Sequence, residues 1–223
     1  MIDLSNTKPF ASGGNRDCYI SPINSKACIK VTKKEILKKI KKGKVWYKKF
    51  RSNESFDDNL REQLAYKQKA ITSPLDNSIW DHLAKWNGMV ETSLGPASET
   101  ELIKNDDEIA ETLENYLFRE GLTDEIKLAI ESFEIWLRRH QVLTKNIIPH
   151  NIVLKKIDGA ITLKIIDGLG CSSFIPLPKY SKYFAKRYVE RRISLMWSRI
   201  NWDLSGRKGD WKKILYSSKK FFR

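Results

Sequence analysis

Short apolar runs separated by turn residues dominate the first hundred residues, and helical stripes dominate most of the remainder. Cys18-Tyr19-Ile20 and Ala27–Val31 predict strands after a turn-rich stretch, Phe10-Ala11-Ser12-Gly13-Gly14-Asn15-Arg16. Met89–Thr92 and Ser98–Ile103 predict two more strands, parted at Gly95-Pro96. Residues 57–71 read as a helix, broken in the 72–78 stretch by Pro74. In the Lys-rich segment 33–51, Ile36, Leu37 and Ile40 can share one helical face. Past about residue 104 the period lengthens, and a lobe boundary is expected there. Residues 106–119 predict a helix ended by Gly121, and Thr123 can cap another. In that second helix Asp124 and Glu125 occupy the first turn, and Ile126, Ala129, Ile130, Phe133 and Leu137 make the stripe. After Pro176 and Pro178 a helix is expected to about Arg199, with another segment near 208–216.

One pattern departs from the helical rhythm. Two apolar runs, Ile152–Ile157 and Ile161–Ile166, flank Asp158-Gly159, a pair suited to a tight hairpin turn. Folding there brings the open ends together, so Asn151 and Asp167 become neighbours. An amide oxygen beside a carboxylate, followed by Gly168-Leu169-Gly170, makes a hard-oxygen site suited to Mg²⁺. Protein kinases hold the metal on ATP with an Asn and an Asp placed this way.

Composition narrows the setting. A chain of 223 residues with 41% hydrophobic content can bury a full core and fits one domain or two small lobes. No apolar run is long enough to span a bilayer, and Met1-Ile2-Asp3-Leu4-Ser5 does not read as a signal peptide. Cys18, Cys28 and Cys171 are odd in number without metal-type spacing, which sets aside disulfides and structural zinc and predicts a reduced, cytoplasmic setting. The net charge of +14 is segregated: segment 33–51 carries +9 and segment 179–223 carries +11, leaving the rest at −6. Either an anionic partner (nucleic acid, phospholipid or a phosphorylated substrate) or a solvated basic surface accounts for this.

Lys30 lies within an otherwise apolar strand, where an ammonium either faces solvent or needs an anion. Glu62, inside the next predicted helix, is a candidate partner. A strand-three lysine paired with a glutamate from the following helix is how kinases position ATP phosphates. The Gly13-Gly14 loop is short of the full G-x-G-x-x-G pattern, with Ala11 and Arg16 where glycines would stand. Its backbone amides are still candidates to meet phosphates, and Arg16 is a candidate for an added charge contact.

The segments FASGGNRDCYISP, ACIKV, NGMVET, IIPHNIVLKK and IIDGLGCSSFIPLPKYSKYFAKR carry a resemblance. The chain resembles the YrbL-like family of bacterial kinase-fold proteins, named for the PhoP regulatory network, from residue 1 to about 199. SSFIPLPKYSKYF is the most family-specific piece. The resemblance implies an α+β, two-lobed protein-kinase-like fold, with a small β-rich N-lobe (residues 1–103) and a shortened helical C-lobe (104–223). It implies ATP and Mg²⁺ as cofactors, with nucleotide held between the lobes. Lys30 would contact phosphates, Glu62 would hold Lys30, and Asn151 and Asp167 would bind Mg²⁺. Thr100–Ile103, including Glu101 and Ile103, would meet adenine as the hinge.

Two departures bear on activity. Counting back from Asn151, the kinase H-R-D falls on Thr144-Lys145-Asn146, so the catalytic Asp is Asn146, which cannot accept a proton as a base. Asn146 can still orient an acceptor hydroxyl and Lys145 stabilise phosphate charge, because phosphoryl transfer rests mainly on positioning and metal electrostatics. His150, the nearest titratable alternative, should point away from the metal. Only 56 residues follow Asp167, without an A-P-E segment, so a non-protein acceptor (small molecule, sugar or lipid-linked) is easier to accommodate.

The basic tail interleaves Tyr180, Tyr183, Phe184, Tyr188, Trp197, Trp202 and Trp211 with Lys and Arg. Those rings either stack on nucleic-acid bases or pack inward under basic stems. Segment 33–51, with Val45-Trp46-Tyr47 and Phe50, is a candidate membrane-surface contact. Three functional readings remain: a Mg-ATP-binding phosphotransferase, a pseudokinase serving as a regulatory or interaction module, and a basic nucleic-acid-binding protein.

Overall fold

In the computed structural model, which describes residues 1–36, 57–173 and 176–220 with side chains to 215, the early apolar runs become an antiparallel sheet. The basic segment 33–51 falls largely outside the described residues. Strands β1 (Ala11–Ser12), β2 (Arg16–Ser21), β3 (Asn24–Thr32), β4 (Trp86–Thr92) and β5 (Gly95–Glu101) order as β1-β2-β3-β5-β4. Helix α1 (Asp58–Tyr66) packs on β3, β4 and β5. This first unit comprises Met1–Tyr66 and Lys85–Leu102.

Strand alternation gives the sheet two unlike faces. Tyr19, Ile29, Val31 and Ala97 join Ile2 and Leu4 in an apolar cluster on one face. The opposite face carries Cys28, Lys30 and Thr32, which stand across from Ile20, Cys18 and Arg16 in the β2–β3 register. Ser98 and Thr100 continue that face on β5, opposite Lys30 and Cys28. The turn before β5 is at Ser93-Leu94, one step earlier than the Gly95-Pro96 break expected, and Gly95 and Pro96 pair within the strand.

The second unit comprises Lys67–Ala84 and Ile103–Arg223. Residues 67–84, expected with the N-lobe, cluster here because Ala84 donates its amide to the Ile165 carbonyl at 3.0 Å and Leu83 bridges Ile165. This stretch holds α2 (Lys69–Thr72) and a 3₁₀ turn at Asn77–Trp80. The helix expected over 106–119 starts late. Asp106, at φ 51°, turns a small hairpin between β6 (Lys104–Asn105) and β7 (Glu108–Ile109). Thr112 then caps α3 (Leu113–Glu120) by accepting from the Asn115 amide at 3.2 Å.

Helix α4 (Asp124–His140) follows its pattern: Thr123 accepts from the Ile126 amide, and Ile126, Ala129, Ile130, Phe133 and Leu137 are buried. Its buried side packs against β9 of the hairpin β8 (Ile152–Ile157) and β9 (Ala160–Ile165). Helix α5 (Lys182–Leu204) runs five residues beyond the expected end, and α6 (Trp211–Lys220) comes after it. Asp203, fully buried near the end of α5, binds Arg199 and Arg207 at 3.0 Å each, and both arginines also reach Glu114 on α3.

Candidate functional site

In the first unit, β3 and α1 bring Lys30 and Glu62 together across the polar face of the sheet. Lys30 Nζ lies 2.6 Å from Glu62 Oε1, and both residues are at least nine-tenths buried. The other carboxylate oxygen accepts from Arg16 at 2.7 Å, and Arg16 also donates to Asn59 Oδ1 at 3.1 Å. Arg16, a candidate for an added charge contact in the loop reading, is directed into the sheet–helix interface and makes its charge contact with Glu62. A carboxylate between two cations satisfies both of its oxygens with charge-assisted bonds, the condition under which a buried ion pair holds firmly. Two further bonds tie the start of α1 to the strands: Asn15 donates to Asp58 at 2.7 Å and Thr32 to Asp57 at 3.2 Å. Cys28 shares the face with Lys30, and its hydrogen bond with Cys18, then burial, pushes its thiol well above the usual thiol range.

In the second unit the hairpin forms about Asp158 (φ 48°) and Gly159 (φ 80°), both left-handed as a type I′ turn requires. Ile152 stands opposite Ile165, and the Ile166 amide donates to the Asn151 carbonyl at 3.0 Å, which delivers Asn151 and the start of the Asp167 loop to one end. Asn151 Nδ2 donates to the Asn146 carbonyl at 3.1 Å. Asp167 turns one carboxylate oxygen onto the Gly168 amide. Gly168 is held at φ 83°, and a Cβ there would stand 2.4 Å from the Asn146 oxygen and 2.8 Å from Asn151 Nδ2. Its carbonyl accepts from the amides of Lys145 (2.8 Å) and Asn146 (3.2 Å), while Gly170 donates to Leu143. Residues 143–146 and 167–170 thus lace together, so Asn146, Asn151 and Asp167 occupy one small region.

Tyr188 on α5 fastens this region. Its hydroxyl donates to the Thr144 carbonyl at 2.9 Å and accepts from the Ser172 amide at 3.0 Å. Among the described residues no group of three or more His, Cys, Asp or Glu is placed to hold a metal ion. An Asn–Asp oxygen pair suits a hard cation that takes its remaining ligands from phosphate and water, as Mg²⁺ does.

The other expected contacts are placed less openly. The Gly13 amide donates to the Arg16 carbonyl at 2.9 Å, so the turn itself uses one group expected for phosphate, while Gly14 lies beside open space. In the hinge stretch, Glu101 donates its amide to Lys85 and Leu102 to Lys26, each at 2.8 Å, and the Ile103 carbonyl accepts from Ala110. His150 is exposed with Nδ1 3.7 Å from Glu114, on the side of α3. Lys145 is half-buried and Asn146 exposed.

Sequence reasoning missed Arg16 as the second partner of Glu62, and Gly168 as a packing position. The Arg16 pairing spans 46 residues and has no local signature. Gly168 stands in the Gly-Leu-Gly run, but that run does not by itself show a packing role.

The fold has counterparts among solved structures. The protein kinase domain of Mycobacterium tuberculosis PknI aligns over 97% of this chain and 86% of its own, at 12% identity and a TM-score of 0.53. Rad53 residues 1–466 with AMP-PNP align over 97% of this chain at 14% identity and a TM-score of 0.52, the match spanning 55% of that chain. The fold is therefore that of protein kinases, an α+β architecture with an N-terminal sheet and a helical C-terminal part. The profile of PhoP regulatory network protein YrbL matches residues 2–201, and the chain belongs to that family. YrbL proteins of Escherichia coli K12 and Shigella flexneri are each 23% identical over 206 residues, covering 90% of this chain and 86% of theirs.

Proposed function

We propose that this protein binds Mg-ATP and is organised to transfer a phosphoryl group to a non-protein acceptor. The observation that carries the reading is the buried Lys30–Glu62 pair at 2.6 Å, the arrangement that kinases use to present a lysine to ATP phosphates. The Asn151–Asp167 end of the hairpin supports it with two hard oxygen donors for the metal. AMP-PNP in the Rad53 structure supports nucleotide as the ligand class. When bound, Mg²⁺ would neutralise charge on the phosphates. Adenine would meet the Thr100–Ile103 stretch.

The chain's own residues decide how far catalysis goes. Asn146 is exposed and its carbonyl fixes Asn151, so its side-chain amide is free to orient an acceptor hydroxyl but not to take its proton. Lys145 beside it supplies positive charge. Loss of a general base lowers the rate by about 10²–10⁴-fold, and positioning with metal electrostatics supplies the remainder.

The same residue favours a second reading, a pseudokinase that keeps the fold and nucleotide site as a regulatory or interaction module. Steady ADP formation separates the two readings. Slow turnover that vanishes in a folded Asp167→Asn variant supports the phosphotransferase. ATP binding with no turnover above that variant assigns the chain to the pseudokinases.

A further inference from the structure

The first turns of α5 present an outer face that the nucleotide reading does not use. Ala185 and Tyr188 face inward with Leu143 in a buried cluster. On the other side Tyr180 is 82% exposed, Tyr183 62%, Leu177 43% and Phe184 41%. Lys179, Lys182, Lys186 and Arg187 are exposed among them. No Asp or Glu occurs between Asp167 and Glu190, and Glu190 is bound to Arg138 on α4 at 3.0 Å. Tyr183, Lys186, Arg187 and Glu190 line a shallow, open depression on this face.

The other tail aromatics behave differently. Tyr188 is buried, Trp197 donates to Glu134, and Trp202 lies against Trp211 with Arg199 over both rings. Burial accounts for Tyr188, and contacts with neighbouring side chains engage the other three, half-buried rings. That leaves the patch of residues 177–187 unexplained.

We propose that this patch docks the protein onto an anionic phospholipid surface, with the apolar tips at the headgroup boundary and the cations on lipid phosphates. Charge complementarity selects an anionic partner, and the identity of the exposed groups selects lipid over nucleic acid. Base stacking needs open ring faces, which Tyr180 keeps and the other two exposed rings partly lose. Tyr183 and Phe184 form a T-shaped pair with centroids 5.4 Å apart, and the Arg187 guanidinium lies over the Tyr183 ring at 5.9 Å while donating to its hydroxyl. The Leu177 side chain offers a base neither a ring nor a hydrogen-bonding group, whereas a lipid boundary takes an aliphatic tip, an aromatic tip and two tyrosines together. Lys186 and Arg187, exposed on this face, carry the charge that lipid phosphates attract. No helix among the described residues is long and apolar enough to cross a membrane, so the contact is peripheral.

The test is co-sedimentation of the full chain with vesicles of phosphatidylcholine alone, or of equal parts phosphatidylcholine and phosphatidylglycerol. Binding to the anionic vesicles should weaken with salt and fall more than about tenfold in the double variant Tyr180→Ser with Phe184→Ser. Because both side chains are exposed, that variant should keep the wild-type circular dichroism and melting curve. Lys182→Glu should cost about fivefold or more, while Lys208→Glu, exposed elsewhere in the tail, should cost less. The proposal is overturned if folded wild type ignores anionic vesicles, or if the aromatic double variant binds them as well as wild type. Retention of single-stranded RNA that the same variant loses, without vesicle binding, would overturn it in favour of nucleic acid.

Discussion

Gly168 shows how much of the candidate site depends on one missing side chain. Its left-handed backbone and the 2.4 Å approach to the Asn146 oxygen both exclude a Cβ. Gly168→Ala must therefore move the 143–146 segment or the Asn151 amide. The expected cost is about 1–3 kcal/mol of stability, read as a lowered denaturation midpoint, with a loss of Mg-ATP affinity larger than Gly14→Ala causes. Gly14, beside open space, serves as the control. Equal tolerance at the two positions would contradict the close packing described. The Gly-Leu-Gly run was visible in the sequence, but its packing role was not, because the atoms that crowd Gly168 come from residues 146 and 151.

At the scale of elements, the polar face between the sheet and α1 is held by Glu62. Removing its carboxylate leaves Lys30 and Arg16 sharing the interface without it, and breaking a buried pair in this way costs about 3–5 kcal/mol. Glu62→Ala should lower stability by that order in chemical denaturation. Arg16→Lys, which keeps the charge but loses the fork reaching Glu62 and Asn59, should cost less and still weaken ATP binding. A Glu62→Ala protein as stable as wild type would contradict the arrangement.

In the second unit His82 joins the 67–84 segment to the hairpin, with Nδ1 2.7 Å from the Leu163 carbonyl. Burial, the main cause, holds its pKa below the ordinary histidine value. His140 is lowered too, again mainly by burial, and its buried Nδ1 has no hydrogen-bond partner. A lowered folded value means that the unfolded chain binds the proton first. Their contribution is therefore complete above about pH 6.5 and is lost as the pH falls from there through the folded values. The melting temperature should drop across that acid window, and His82→Phe should flatten the drop. An unchanged slope in that variant would remove His82 as a cause.

Over the whole molecule, legibility tracked the range of the interactions. The hairpin was readable because Asp158-Gly159 acts on its immediate neighbours, and α4 because its stripe and Thr123 cap are local. Helix α3 was anticipated too early because the Asp106-Asp107 turn competes with helical periodicity. Residues 67–84 cluster with the second unit rather than the first because Ala84 and Leu83 find their partner at Ile165, far along the chain. The Lys30–Glu62 pair was reached through the kinase-type resemblance, whereas Arg16, bonded 46 residues away, had no pattern to reveal it.

In the proposed reading the chain binds Mg-ATP, with Lys30 held by Glu62 for the phosphates and with Asn151 and Asp167 for the metal. Calorimetric titration of ATP with and without Mg²⁺, on wild type, Lys30→Met and Asp167→Asn, tests it most directly. Wild type should bind ATP in a metal-dependent way, Lys30→Met should bind it more weakly, and Asp167→Asn should lose the metal dependence. Folded wild type that takes up no ATP with either Mg²⁺ or Mn²⁺ would contradict this reading.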